Sequence, residues 1–257
     1  MKLHLRFLFA LSLVALTTNS LFAQTAAPAK PAEKPAAAPA KPNPVDDAPT
    51  TQPVNRDGAR HQLINSRAKP GEVDLLFIGD SITQGWEGAG KEAWEKYFGK
   101  RKPMNAGIGG DRTQHVLWRL ENGNIKGITP KAAVIMIGTN NSGRNTSEEI
   151  AAGVTAIVNK LRKELPETKI LLLATFPRGA DKNDARRKVN EGSNAIVAKL
   201  ADGKSIFFLD IGDKLMNADG TISRDIMPDL LHLSPTGYDI WGSAIDAKVG
   251  ELLGEKS

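Results

Sequence analysis

Five short apolar runs recur between residues 73 and 210: "VDLLFIG" (73–79), "PMNAGIG" (103–109), "AAVIMIG" (132–138), "KILLLATF" (169–176) and "SIFFLD" (205–210). They are near-continuous rather than alternating, and turn residues bound them. Such runs predict strands covered on both faces. Amphipathic stretches with helical spacing lie around them, at about 57–68, 88–99, 112–122, 147–164, 182–201 and 235–253. Strand–helix alternation of this kind predicts a parallel five-stranded sheet with helices on both sides and right-handed crossovers. In such a sheet ligands bind beyond the C-terminal strand ends. Polar residues immediately after each strand are therefore the first place to look for chemistry.

The pattern begins only after Val54. Residues 1–23, "MKLHLRFLFALSLVALTTNSLFA", read as a secretory signal peptide: Lys2 and Arg6 precede the ten apolar or small residues Phe7 to Leu16. That core is short for a membrane span, and none is expected after cleavage. Residues 24–54 are rich in Ala, Pro and Lys. Proline fixes φ and removes a donor, and few large apolar groups are present to offset ordering entropy, so a disordered linker is expected. The globular domain is expected over 55–257, in a secreted or periplasmic protein.

Composition narrows the chemistry. The chain has no cysteine, which excludes disulfides, thiolate nucleophiles and a cysteine-attached lipid anchor. Only four histidines occur, His4, His61, His115 and His232, too few to suggest a histidine-rich metal site; no metal or other cofactor is expected. The formal net charge is +5, two of it (Lys2 and Arg6) in the leader, and no basic run is interleaved with aromatics. Nucleic acid is therefore not an expected partner.

The strand ends supply a candidate site. Asp80 and Ser81 follow the first run, Gly109, Gly110 and Asp111 the second, and Thr139, Asn140 and Asn141 the third. A serine hydroxyl needs a base to become a nucleophile. His232 lies in the loop "MPDLLHLSPTG", three residues after Asp229, whose carboxylate can fix its tautomer. His115 is the alternative base. The backbone N–H groups of Ser81 and Gly110 and the side-chain amide of Asn140 are candidate oxyanion donors. Each residue also has a plainer reading: Ser81 as a helix cap, Gly110 and Asn140 as turn formers, Asp229 as a local cap. Trp86 and Trp118 are candidates to shape an acyl pocket or, more plainly, core residues. Two near-motifs carry less. "GWEGAGKE" (85–92) approximates a phosphate-binding loop, but Glu92 replaces its hydroxyl; "GDSIT" lacks the second glycine of the α/β-hydrolase elbow.

Together these blocks resemble the GDSL/SGNH hydrolase family. "FIGDSIT" resembles its first block, Gly110 in "NAGIGGD" its second-block glycine, Asn140 in "GTNN" its third-block asparagine, and Asp229 and His232 in "DLLH" its final Asp-x-x-His. "GIGGDRTQHVLWRLENG" and "PDLLHLSPTGY" look like the branch that holds the intracellular platelet-activating factor acetylhydrolase catalytic subunits. The resemblance implies a three-layer, flavodoxin-like α/β/α sandwich. It also implies a serine esterase releasing short acyl groups, chiefly acetyl, through Ser81, Asp229 and His232, with Ser81, Gly110 and Asn140 as oxyanion hole. The expected substrate is a small-molecule or glycan ester. The alternatives are a lysophospholipase or thioesterase, a lipid deacetylase like that branch, and a non-catalytic carbohydrate-binding module. Oligomeric state stays open, a homodimer included.

Overall fold

The computed structural model describes residues 48–255; the leader 1–23 and the linker before Ala48 lie outside the described residues. Five parallel strands form one sheet in the order β2-β1-β3-β4-β5, with β1 Leu75–Gly79, β2 Pro103–Gly107, β3 Ala132–Met136, β4 Lys169–Leu173 and β5 Ile206–Leu209. Each strand lies within one of the predicted runs, which extend one to three residues beyond it. Among the described residues seven α-helices accompany them: α1 Ala59–Arg67, α2 Ser81–Gln84, α3 Lys91–Tyr97, α4 Thr113–Glu121, α5 Ser147–Glu164, α6 Ala185–Val197 and α7 Pro235–Leu253. The fold is the expected three-layer α/β/α sandwich.

Successive strand residues point to opposite faces and build two separate cores. Leu76, Ile78, Ala133, Ile135, Ile170 and Leu172 pack with α1, α4, α5 and α6. Leu75, Phe77, Val134, Met136, Leu171 and Leu173 pack with α2, α3 and α7. The double burial explains why the runs read as continuous rather than alternating.

Helix ends follow local chemistry. Thr146 caps α5 reciprocally with Glu149, and Ser234 accepts from Gly237 N–H with Pro235 in the first turn of α7. Helix α6 starts at Ala185, not 182, because Asp184 accepts from Arg187 N–H at 2.9 Å and sets the boundary there. Helix α2 is one turn with no periodicity to announce it.

Residues 48–54, the end of the stretch read as linker, lie on the body. Gln114 Nε2 donates to Ala48 O at 2.9 Å, Thr50 Oγ1 to Glu149 O at 2.6 Å, Thr113 Oγ1 to Thr50 O at 3.0 Å and Val54 N–H to Gln114 O at 3.1 Å. Composition misses this strap because its partners, side chains of α4 and a backbone carbonyl of α5, lie far away in the sequence.

The topology sets the site. Strand β1 lies between β2 and β3, with Gly79 in register with Gly107 and with Met136. The segments leaving β1, β2 and β3 therefore emerge side by side.

Candidate active site

Ser81 sits in the first turn after β1. Asp80 caps that turn, its carboxylate accepting from Ile82 N–H at 3.0 Å. A single helical turn leaves most of its carbonyls without helical partners, and here distant residues take them up. Tyr238 Oη donates to Ile82 O at 2.6 Å, and Asn105 Nδ2 donates to Thr83 O at 2.9 Å. Glycine is required beneath the turn. A Cβ on Gly107 would stand 2.3 Å from Gln84 N, and one on Gly79 2.5 Å from Met136 O. The turn that carries Ser81 is thus pressed directly onto the sheet. Asp80 is buried, and burial, reinforced by the charge of Asp111, pushes its pKa up to about 7 against the pull of the Ile82 hydrogen bond.

The loop before α7 carries the other two groups. His232 Nε2 lies 2.9 Å from Ser81 Oγ, and His232 Nδ1 lies 2.7 Å from Asp229 Oδ2. Asp229 Oδ1 also accepts from the backbone N–H groups of His232 at 2.7 Å and Leu231 at 3.1 Å. The turn closes with Leu230 at φ 62°, a left-handed conformation. Burial pulls the Asp229 pKa up, and the hydrogen bonds from His232 outweigh it, so the carboxyl lies below its usual range. An ionised Asp229 accepting from Nδ1–H leaves the Nε2 lone pair facing Ser81 Oγ–H. With side chains 45% and 56% exposed, His232 and Asp229 form an open lip, not a sealed pocket.

The third wall comes from the segments after β2 and β3. Gly110 has φ 78°, with open space where a Cβ would be. Among the described residues, the N–H groups of Gly110 and Ser81 have no hydrogen-bond partner, whereas Gly109 N–H is taken by Gln84 Oε1 at 2.7 Å. Asn140 Nδ2 donates one bond to Asp111 O at 2.9 Å and has a second N–H to offer. The Gly110 loop is anchored by Asp111, fully buried between Arg119 Nε at 2.7 Å and Arg56 Nε at 2.5 Å. Arg56 also holds Gly109 O at 2.7 Å. The arrangement brings a hydroxyl and a histidine base within hydrogen-bonding distance, and the segments leaving β2 and β3 beside β1 carry N–H groups not taken up by the fold.

The structure separates the alternatives from this cluster. His115 Nδ1 accepts from Arg112 N–H at 3.0 Å, and burial pushes its pKa down to about 4; it caps α4. His61 is buried among Asn65, Asn124 and Trp118. Trp86 is core, packed on Tyr238 and Trp241, and Trp118 packs on His61. Glu87 of the near phosphate loop is bound by Arg60 and Arg67 at 2.6 Å each. Among the described residues no group of three or more His, Asp or Glu side chains is gathered for a metal, and no helix is long and apolar enough to cross a membrane. Sequence reasoning missed Asn105, Tyr238, Arg56 and Arg119, which hold the site from positions up to 156 residues away in the chain. Nothing local in the sequence marks them.

Comparison with known proteins gives the family of the chain and relatives of its fold. The model of the GDSL-like Lipase/Acylhydrolase family matches residues 77–240. The chain is 39% identical over 218 residues to the human platelet-activating factor acetylhydrolase IB subunit alpha1, covering 84% of this chain and 90% of that subunit. It is 39% identical over 180 residues to the alpha2 subunit of Gallus gallus, covering 70% and 77%. Among solved structures, a carbohydrate acetylesterase from Sinorhizobium meliloti superposes with a TM-score of 0.57 at 21% identity, covering 70% of this chain and 99% of that one. An aryl esterase from M. smegmatis superposes with a TM-score of 0.56 at 18% identity, covering 72% and 100%. These two likenesses show the fold.

Proposed function

The chain belongs to the GDSL-like lipase/acylhydrolase family and is a carboxylic ester hydrolase; we propose that Ser81 is its nucleophile, His232 its general base and Asp229 the group that orients the base. The reading rests on one observation, the continuous path from Ser81 Oγ through His232 to Asp229 at 2.9 and 2.7 Å. His232 Nε2 takes the hydroxyl proton as Oγ bonds to the ester carbonyl carbon. The tetrahedral oxyanion is held by the N–H groups of Ser81 and Gly110 and the Asn140 amide, donors whose individual loss typically costs about 10²–10³ in turnover. Protonated His232 then gives its proton to the departing alcohol. Water, deprotonated by the same ring, attacks the acyl-enzyme and releases the acid.

The substrate in this reading is a short acyl ester, chiefly acetyl, on a carbohydrate, and the enzyme acts outside the cytoplasm, as the leader-like residues 1–23 suggest. One observation supports a small acyl group on a polar carrier: the lip formed by Asp229 and His232 is open to solvent. The identity to acetylhydrolase subunits supports acetyl and keeps acetylated lipids as the second reading.

The experiment is acetate release from p-nitrophenyl acetate by wild type and Ser81→Ala, followed by a panel of acetylated glycans, acetyl lipids and octanoyl esters. The Ser81→Ala protein is expected to fold normally with activity at background. Substantial residual turnover would refute the assignment, and faster octanoyl than acetyl release would move the enzyme to the lysophospholipase or thioesterase reading.

A further inference from the structure

Along the rim, beyond β3 and Asn140, the segment after β4 reads Phe176-Pro177-Arg178-Gly179. Its backbone is held on two sides. Buried Arg187 of α6 donates Nε to Arg178 O at 2.7 Å and Nη2 to Gly179 O at 3.0 Å. Gly179 N–H donates to Leu230 O at 2.9 Å, inside the turn that joins Asp229 to His232. This clamp brings the half-buried Arg178 side chain against Thr139, the residue before Asn140. Its Nη1 donates to Thr139 O at 3.2 Å and to Thr139 Oγ1 at 3.0 Å.

The rest of the guanidinium is unused. Among the described residues, Arg178 Nε and Nη2 have no hydrogen-bond partner, and Arg178 makes no ion pair. Thr139 does not depend on this donor, because its carbonyl also accepts from Ser142 Oγ at 2.7 Å and its hydroxyl from Asn190 Nδ2 at 3.3 Å. A half-buried cation is costly where neutral side chains already supply hydrogen bonds. Its surroundings lean both ways: Arg186 repels it, while Asp184, Asp80 and Asp229 attract it from beyond contact distance. The side chain stays charged at any working pH. The free Nε–Nη2 edge is the side of the fork that binds a carboxylate or phosphate with two parallel hydrogen bonds.

We propose that Arg178 is an anion subsite: its Nε–Nη2 edge takes a carboxylate or phosphate carried on the alcohol portion of the ester whose acyl group lies at Ser81. The inference rests on the Ser81 reading and deepens it by naming the substrate class, acetyl esters of acidic alcohols. The anion falls on the alcohol because an acetyl group has no place for one. The substrate then runs along the strand ends, from the donors at Gly110 and Asn140 toward β4.

The test compares acetate release from 4-acetoxybenzoate, 4-acetoxyphenyl phosphate and the neutral methyl 4-acetoxybenzoate, in wild type, Arg178→Gln and Arg178→Lys. The quantity read is the ratio of kcat/KM for each anionic ester to that of the neutral one, so intrinsic leaving-group differences cancel between variants. Arg178→Gln is expected to lower that ratio about tenfold, mainly through KM, with partial recovery in Arg178→Lys and loss of the wild-type preference in high salt. The carboxylate and phosphate arms separate the two anions. An equal loss for charged and neutral esters, carried by kcat, would overturn the proposal and leave Arg178 as a positioning residue for Asn140. A second measurement needs no turnover: NMR titration of Ser81→Ala protein with 4-hydroxybenzoate and its methyl ester. The carboxylate is expected to bind tighter; equal binding would overturn the subsite. Wild type inactive on all three esters while the carboxylate still binds preferentially would sink the Ser81 mechanism and keep the subsite.

Discussion

Replacing Asp80 by Asn should flatten the pH dependence of stability. Asp80 is 1% exposed and its carboxyl titrates at about 7 in the folded protein against 3.8 for the ordinary group. Between those values the folded chain keeps a proton that the unfolded chain has released. Stability therefore falls as pH rises through that window, by about 1.4 kcal/mol per pH unit. The whole contribution is about 4 kcal/mol, absent below pH 3.8 and complete above about pH 7. Asparagine keeps an oxygen to accept from Ile82 N–H and cannot ionise. Urea unfolding of wild type and Asp80→Asn at intervals from pH 4.5 to 9 reads the effect. The difference between the proteins should shift in favour of Asp80→Asn by roughly 3–4 kcal/mol across that range, whatever its value at the acid end. Other titrating groups cancel in the difference. Parallel curves, differing by less than about 1 kcal/mol from end to end, would mean that the cap is ionised at no cost, and the burial argument would fail.

Asp229→Asn should leave unfolding within about 0.5 kcal/mol of wild type, because the carboxylate is exposed, and should lower kcat by about 10²–10⁴ through the wrong histidine tautomer; a loss under tenfold in p-nitrophenyl acetate turnover would remove Asp229 from the mechanism. Tyr238→Phe strips the donor from buried Ile82 O and should destabilise by about 1–3 kcal/mol in urea titrations. Arg119→Met leaves the buried Asp111 carboxylate with Arg56 alone and should cost about 3 kcal/mol or more; unchanged unfolding would show that Arg56 suffices.

The layers of the fold were legible because burial on both faces leaves a local trace. Each strand run is apolar without alternation, and each long helix has a periodic face, so "VDLLFIG" and "AAVIMIG" could be assigned from their own residues. The candidate site was legible in part for the same reason: residues that end strands of a parallel sheet share a rim, so Ser81, Gly110 and Asn140 needed only their strands to be placed. His232 was harder, since its loop follows no strand directly; it was the expected base with His115 as the alternative, and the fold puts His232 Nε2 2.9 Å from Ser81 Oγ and His115 Nδ1 on a backbone N–H.

What the chain's own pattern determined, then, was the identity of the elements, their layering and the rim on which polar residues gather, all of which follow from interactions within about 20 residues. What only the tertiary structure decided was everything that depends on contact between distant segments: the strap 48–54 on α4 and α5, Tyr238 and Asn105 completing a one-turn helix, the Arg56–Asp111–Arg119 anchor and the unpartnered edge of Arg178. The physical reason is that a polar group's partner across the fold imposes no periodicity on its neighbours in sequence; hydrogen bonds and ion pairs between loops are set by where the two cores bring the chain, and are visible only once it is there.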